Sequence, residues 1–325
     1  MTTIRYKFVL AVLTAAVSGA LSLSTPGQTP PPMPPHRLEA AGTYERAIAV
    51  APNLNLTLCV TEGNLKVNGW NRNEVRLFVE DGPKFSFKVI DKGAGGQPVW
   101  ISTTNAAPRP GVNNDCISGR AVEIDVPLGT SLNLSGKAID AQIDGIRKVE
   151  VKTVGGDINI RNIKEGVKAN TYEGDVIVEE SWGQVALESS TGNIVVVDSG
   201  PSDIGDTFKA KTNSGAVSLT RVTHRAIEVN SISGSVYFSG DLKNGGTYAF
   251  GTSNGIIRLA LPPTTACKIA ATFTSGGFDS ELPFSIDTEN VAPDELKSVV
   301  GRLGSGGDAL LKLTTVAGMI GIKKQ

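Results

Sequence analysis

The chain has 325 residues, 40% of them hydrophobic and only 6% aromatic, which is ample for a sizeable core. Its 37 glycines favour many short strands joined by turns over long helices. A formal charge of −1 argues against a basic phosphate-binding surface and hence against a nucleic-acid role.

The first residues form a separate unit. Arg5 and Lys7 precede an apolar run from Phe8 to Leu23, with a small-residue exit around Ser18-Gly19-Ala20. This order predicts a secretory signal peptide over residues 1–24, and its cleavage leaves 29 basic against 32 acidic side chains. Membrane contact is expected only where that segment is retained. Residues 25–43 follow as a Pro-rich extended linker, because TPGQTPPPMPPH supports neither a helix nor a central strand.

Residues 44–130 contain strand-like alternation without a clean repeat: Leu54, Leu56, Leu58 and Val60, then Val75, Leu77 and Val79, then Phe85, Phe87 and Val89. Bounded by turn residues, these runs predict antiparallel hairpins or meanders forming an N-terminal β cap. Thr103 to Ser118 lacks periodicity and is expected to be a surface loop. In an oxidising compartment, Cys59 is a candidate to pair with Cys116 while Cys267 is buried; three buried thiols are the alternative. Three cysteines with only His36 and His224 do not compose a zinc site, and no cofactor is expected.

Residues 131–325 carry the main signal. After a degenerate coil with Ile139, Ala141, Ile143 and Ile146, one pattern recurs: two alternating apolar residues, Ser or Thr, two arbitrary residues, then Gly. Val149-x-Val151-x-Thr153-x-x-Gly156 is the first copy and Leu311-x-Leu313-x-Thr315-x-x-Gly318 the last. The glycines fall at 156, 174, 192, 215, 234, 255 and 318. A period near 20 residues predicts an all-β, single-domain β-solenoid or β-helix, continuous with the cap. A further copy at Cys267–Phe273 is shifted by one residue, which predicts a β-bulge near Ala270–Thr272. Insertions near 200–206, 240–247 and 285–308 should project as loops, the last with a short helix over Glu295–Val300.

Gly69-Trp70-Asn71-Arg72-Asn73-Glu74-Val75, Val126-Pro127-Leu128-Gly129, the Ser/Thr-x-x-Gly repeats and Thr315-Val316-Ala317-Gly318-Met319-Ile320 together resemble the bacterial putative-adhesin family, a domain of unknown function. The resemblance spans roughly residues 45–325. It implies a β-solenoid with an external or periplasmic location, and it supplies no catalytic residues.

Several residue sets invite chemistry. Thr153, Thr171, Ser189, Thr212, Ser231, Thr252 and Thr315 should stack in a column, either as turn chemistry or as a hydroxyl row for ordered polymers. Asp157, Asp175 and Asn193 form a second column with calcium-like ligand types, but without the period of calcium-binding β-rolls. A glycan-cleaving site would draw on Glu173, Asp175, Glu179, Glu180 and Glu188, with Arg161 or Arg221 as the base. Histidine-based catalysis has no evident acidic orienter beside His224. Trp70 and Trp182 are the candidate interaction surface, and Trp100 is a further aromatic. The sequence thus points to a secreted, non-enzymatic solenoid that binds an envelope or glycan ligand. A module that self-associates end to end and a glycan-active enzyme are the alternatives.

Overall fold

A computed structural model describes residues 42–106, 116–292 and 296–325. The signal and linker expectations for residues 1–41 lie outside this range. Seven strands come first: β1 (Gly42–Ala49), β2 (Asn55–Trp70), β3 (Glu74–Gly82), β4 (Phe85–Lys92), β5 (Pro98–Asn105), β6 (Cys116–Ile117) and β7 (Ala121–Pro127). A long β8 (Ser131–Asp144) leads into coils of two strands each. These are β9 (Lys148–Gly155) with β10 (Ile158–Arg161), β11 (Val167–Glu173) with β12 (Val176–Trp182), and β13 (Val185–Thr191) with β14 (Ile194–Gly200). Next come β15 (Thr207–Ser214) with β16 (Val217–Val222), β17 (Ala226–Ser233) with β18 (Val236–Ser239), and β19 (Thr247–Asn254) with β20 (Ile257–Leu261). The chain closes with β21 (Cys267–Ser280), β22 (Phe284–Asn290), β23 (Lys297–Leu303) and β24 (Leu310–Lys324).

The fold is all-β and solenoidal. Strands entering the glycine turn stack in parallel as a first ladder, β9–β11–β13–β15–β17–β19. Those leaving it stack as a second, β10–β12–β14–β16–β18–β20. The long strands β2, β8, β21 and β24 turn a corner and contribute to both ladders. Alternate residues of both ladders point inward, so Val149, Val151, Ile158 and Ile160 share one continuous buried core with their counterparts in every coil.

Four features differ from the sequence expectation. Within residues 44–130, β2 is not a hairpin strand but a full coil, parallel to β5, β7 and β8. Antiparallel pairing is confined to β1–β3–β7 and β4–β5. The expected loop Thr103–Ser118 is strand at both ends: Thr103 is buried within β5 and Cys116–Ile117 form β6. No bulge interrupts β21, which pairs without a register shift with β23 and with β24. Its true alignment places Ile269, Ala271, Phe273 and Gly276 opposite Leu311, Leu313, Thr315 and Gly318. Phe273 thus occupies the hydroxyl position, which disguised the register. The expected helix at Glu295–Val300 is also overturned. From Lys297 the chain is β23, held antiparallel between β21 and β22, and Val299 is buried against the core.

Chain order and spatial order diverge at the C-terminal end. β24 stacks directly on β19 and β20, pairing Thr252 with Thr315 and Ile257 with Ile320. β21 lies beyond it. The final segment therefore sits as an inner coil, with β21–β23 outside it.

The Cys59 and Cys116 sulfurs are bonded, closing a 57-residue separation and pinning β6 to β2. Loop-closure entropy for that separation is worth about 4 kcal/mol at most. Cys59→Ser or Cys116→Ser should therefore lower stability by about 2–4 kcal/mol in denaturant titrations. Reductant should shift wild-type protein but leave either variant unmoved. Cys267 is a buried free thiol whose pKa burial raises to about 11. It behaves as a small hydrophobe.

Candidate functional site

The glycine turn is built by close approach of successive coils. A Cβ on Gly192 would lie 2.0 Å from the Gly174 carbonyl oxygen, and one on Gly215 would lie 2.1 Å from that of Gly192. The column hydroxyls face inward onto the same carbonyls. Ser189, Thr212, Ser231 and Thr252 donate to the oxygens of Gly174, Gly192, Gly215 and Gly234 at 3.0, 3.0, 2.9 and 2.7 Å. Thr171 donates instead to Glu173 O at 3.0 Å. All seven column hydroxyl residues are buried, so they present no polar row to an external polymer. They cap turns.

The second polar column is exposed, and it too serves the backbone. Asp140, Asp157 and Asp175 each accept the amide N–H of the next coil, from Asp157, Asp175 and Asn193 at 3.0, 2.9 and 2.7 Å. Asn193 continues the ladder to Ala216 N at 2.9 Å. The inward-turned oxygens are thus committed to stitching coils. Among the described residues, no group of three or more His, Cys, Asp or Glu is arranged to hold a metal ion.

The carboxylates suggested for glycan cleavage are dispersed. Glu179 lies on the outer side of the second ladder, where β12 follows β10, while Glu188 lies on the first and accepts from Asn170 at 3.0 Å. Glu173 and Asp175 flank the glycine turn. Glu180 sits at the opposite corner, with left-handed backbone. Of the two basic candidates, Arg161 is paired to Asp144 and Arg221 to Asp198. A cavity of about 250 Å³ on the second ladder brings Arg161 and Glu179 together with Asp144, but Glu173, Asp175, Glu180, Glu188 and Arg221 do not line it.

A concave site does occur at the C-terminal end. Beyond β21 the first ladder gains two antiparallel strands, β23 and β22, whereas the second ends at the Gly276–Ser280 half of β21. The step leaves a cavity of about 510 Å³ floored by Phe273, Phe278, Leu282, Phe284, Ile286 and Val299. Asp279, Ser280, Glu289 and Lys297 stand on its rim. The Phe278 and Phe284 rings meet 5.1 Å apart, while Ile286 and Val291 remain 54% and 52% exposed. Sequence reading missed this site because β22 is solvent-exposed along nearly its whole length and so resembles a loop. The only available signal was the Phe284-x-Ile286 alternation.

Residues 122–298, more than half the chain, match the Toastrack DUF4097 family. The chain belongs to this family. Its fold also resembles several solved structures. A putative adhesin from Parabacteroides merdae ATCC 43184 is 8% identical, with 86% of this chain and 96% of that chain covered and a TM-score of 0.47. A putative lipid binding protein from Parabacteroides distasonis ATCC 8503 is 11% identical, covering 86% and 96% with a TM-score of 0.43. A putative cell adhesion protein from Clostridium sporogenes ATCC 15579 is 12% identical, covering 87% and 100% with a TM-score of 0.25. No curated protein matches the sequence.

In this Toastrack chain the tryptophans form no shared platform. Trp70 is half-buried, donates Nε1–H to Glu74 O at 2.8 Å, and carries the Arg72 and Arg76 guanidinium groups 4.9 and 5.7 Å from its ring. Trp182 is 42% exposed at the end of β12, beside Gly200. Three coils separate them, roughly 14 Å at about 4.8 Å per strand. Trp100 lies on the other ladder and donates to Thr57 Oγ1 at 3.1 Å.

His224 is fully buried against Phe208, with Nε2 2.7 Å from Gly183 O. Burial lowers its pKa; the bond to Gly183 and the charge of Asp206 oppose that shift without cancelling it. The folded state therefore holds a neutral ring, whereas the unfolded chain takes up a proton near the ordinary histidine value of 6.5. Stability is fully present above that pH and declines as pH falls below it. The melting temperature should drop from pH 7 to pH 5, and His224→Gln should flatten that dependence. An unchanged slope in the variant would assign the acid sensitivity elsewhere.

Proposed function

We propose that this Toastrack protein is a non-enzymatic binding module of the cell envelope, exported by residues 1–24, whose contact site is the C-terminal cleft. The observation that carries the reading is the cleft itself: exposed apolar side chains in a concavity, at the end where the first ladder outruns the second by two strands. A half-exposed disulfide supports an oxidising compartment, since such bonds persist outside the cytosol. Of the five carboxylates suggested for hydrolysis only Glu179 lines a cavity with a basic candidate, Arg161, and that guanidinium is engaged by Asp144, which supports binding rather than hydrolysis. The outer faces of the ladders carry charges of both signs, some paired between coils as Lys168 with Glu150 and Lys209 with Glu228, and serve solubility and spacing.

Co-sedimentation of purified protein with isolated envelope tests the reading. Wild-type protein should be retained, and Ile286→Asp, which changes an exposed residue of the floor, should weaken retention roughly tenfold by placing a charge in an apolar contact. Equal retention of the two proteins would remove the cleft from the function.

A further inference from the structure

We propose that the cleft receives an extended polypeptide strand, which pairs edge-on with Gly276–Ser280 and lays apolar side chains over Ile286 and Val291. This rests on the cleft being the contact site and names what fills it. Three observations converge on a strand.

The first is the backbone. Glu281 N donates to Ile322 O at 2.9 Å, so it faces β24. In a parallel ladder the peptide groups of alternate residues face alternate sides. Gly277 and Asp279 therefore also face β24, while the N–H and C=O groups of Phe278 and Ser280 point to the open side. Among the described residues no strand pairs there. An unpaired edge of this kind binds an incoming strand through main-chain bonds.

The second is the step between ladders. β23 and β22 continue the first ladder by two positions while the second ladder offers none. The inward faces of Phe284, Ile286 and Val299 consequently lack the opposing layer that covers the two-strand coils, and Ile286 is exposed for that reason. An added strand with alternating apolar residues supplies that layer, because one of its faces points at the floor and the other at solvent.

The third concerns the alternatives. Asp279, Glu289 and Lys297 stand at the rim, so the most regular set of donors and acceptors offered to a ligand is the peptide edge itself. A second copy fits the step poorly. At the N-terminal end, β1 extends the second ladder one position beyond β4 in the first. Only one of the two vacant positions would then be filled if β4 met β22.

The experiment uses full-length protein and a fluorescent heptapeptide of alternating valine and threonine with lysine ends, beside the same peptide N-methylated at alternate amides. The parent peptide should bind saturably and slow amide exchange at Phe278 and Ser280, but not at Gly277 and Asp279. Binding should fall at least about tenfold with N-methylation, with Ile286→Asp and with Ser280→Pro, which removes one open N–H. Equal binding of the N-methylated peptide would overturn strand pairing and leave side-chain capture alone. No saturable binding up to about millimolar peptide, in protein still retained by envelope, would also overturn it while sparing the binding-module reading. Self-association that excludes the peptide would assign the edge to a second copy instead.

Discussion

Gly174→Ala is expected to lower the stability of the solenoid by about 2–6 kcal/mol, far more than its single added methyl would suggest. Two costs combine. Gly174 has φ +132°, a conformation side chains rarely adopt, which costs roughly 1–3 kcal/mol. Its new Cβ would also lie 2.2 Å from Gly156 O and 2.7 Å from Gly156 C, and relieving such an overlap in close-packed backbone costs roughly another 1–3 kcal/mol. The clash cannot be relieved by a rotamer change, because both partners are main chain and the Gly156 carbonyl is fixed within a stack of identical turns. Gly245→Ala separates the two costs: its φ is +67°, but a Cβ there meets nothing within 4 Å. That variant should lose only about 1–2 kcal/mol. Denaturant midpoints of both variants against wild type check this, and equal losses would show that coil approach contributes nothing.

The same steric logic explains what was legible in the sequence. The turn allows little but glycine, so its periodicity survives in the letters, and the inward hydroxyls recur beside it because Ser189, Thr212, Ser231 and Thr252 cap the glycine carbonyl one coil earlier. The opposite corner repeats just as regularly in space. Gly145, Asn162, Glu180, Asp198 and Arg221 all take left-handed backbone, with φ of 72, 55, 47, 54 and 52°. No residue type is shared, since an exposed corner with room for a side chain imposes a conformation without imposing an identity. It left no readable motif. Phe273 misled for a related reason. In the outermost parallel coil there is space for a ring where inner coils admit only a hydroxyl, and the cleft next to it accommodates that ring. The nominated tryptophans were visible by type alone, whereas the cleft depends on which ladder stops first, a property of strand order that no local pattern encodes.

That strand order leads to the second large effect. Removing residues 310–325 should detach β21–β23 from the solenoid rather than merely fray its end. β24 carries Leu311, Leu313, Ile320 and Ile322, all fully buried. At about 1.5–3 kcal/mol for each buried side chain, their loss amounts to roughly 6–12 kcal/mol, comparable with the whole stability of a typical domain. β24 also pairs with β19 and β20 on one side and with both halves of β21 on the other. Without it, β19 and β20 present bare parallel edges, which invite aggregation. β21 could take its place only by putting Phe273 where Thr315 now lies opposite Thr252, a position whose inner neighbours are all small hydroxyl residues. The earlier coils keep their own neighbours and should stay folded, as expected where each repeat depends on adjacent ones. Hydrogen exchange should therefore show residues 267–303 unprotected and residues 131–239 nearly unchanged. A synthetic peptide covering residues 310–325 should restore protection to 267–303 by inserting between β20 and β21. Persistent protection of 267–303 in the truncated chain would mean that β21 can dock directly on β19 and β20, and that the inserted coil is dispensable for building the cleft.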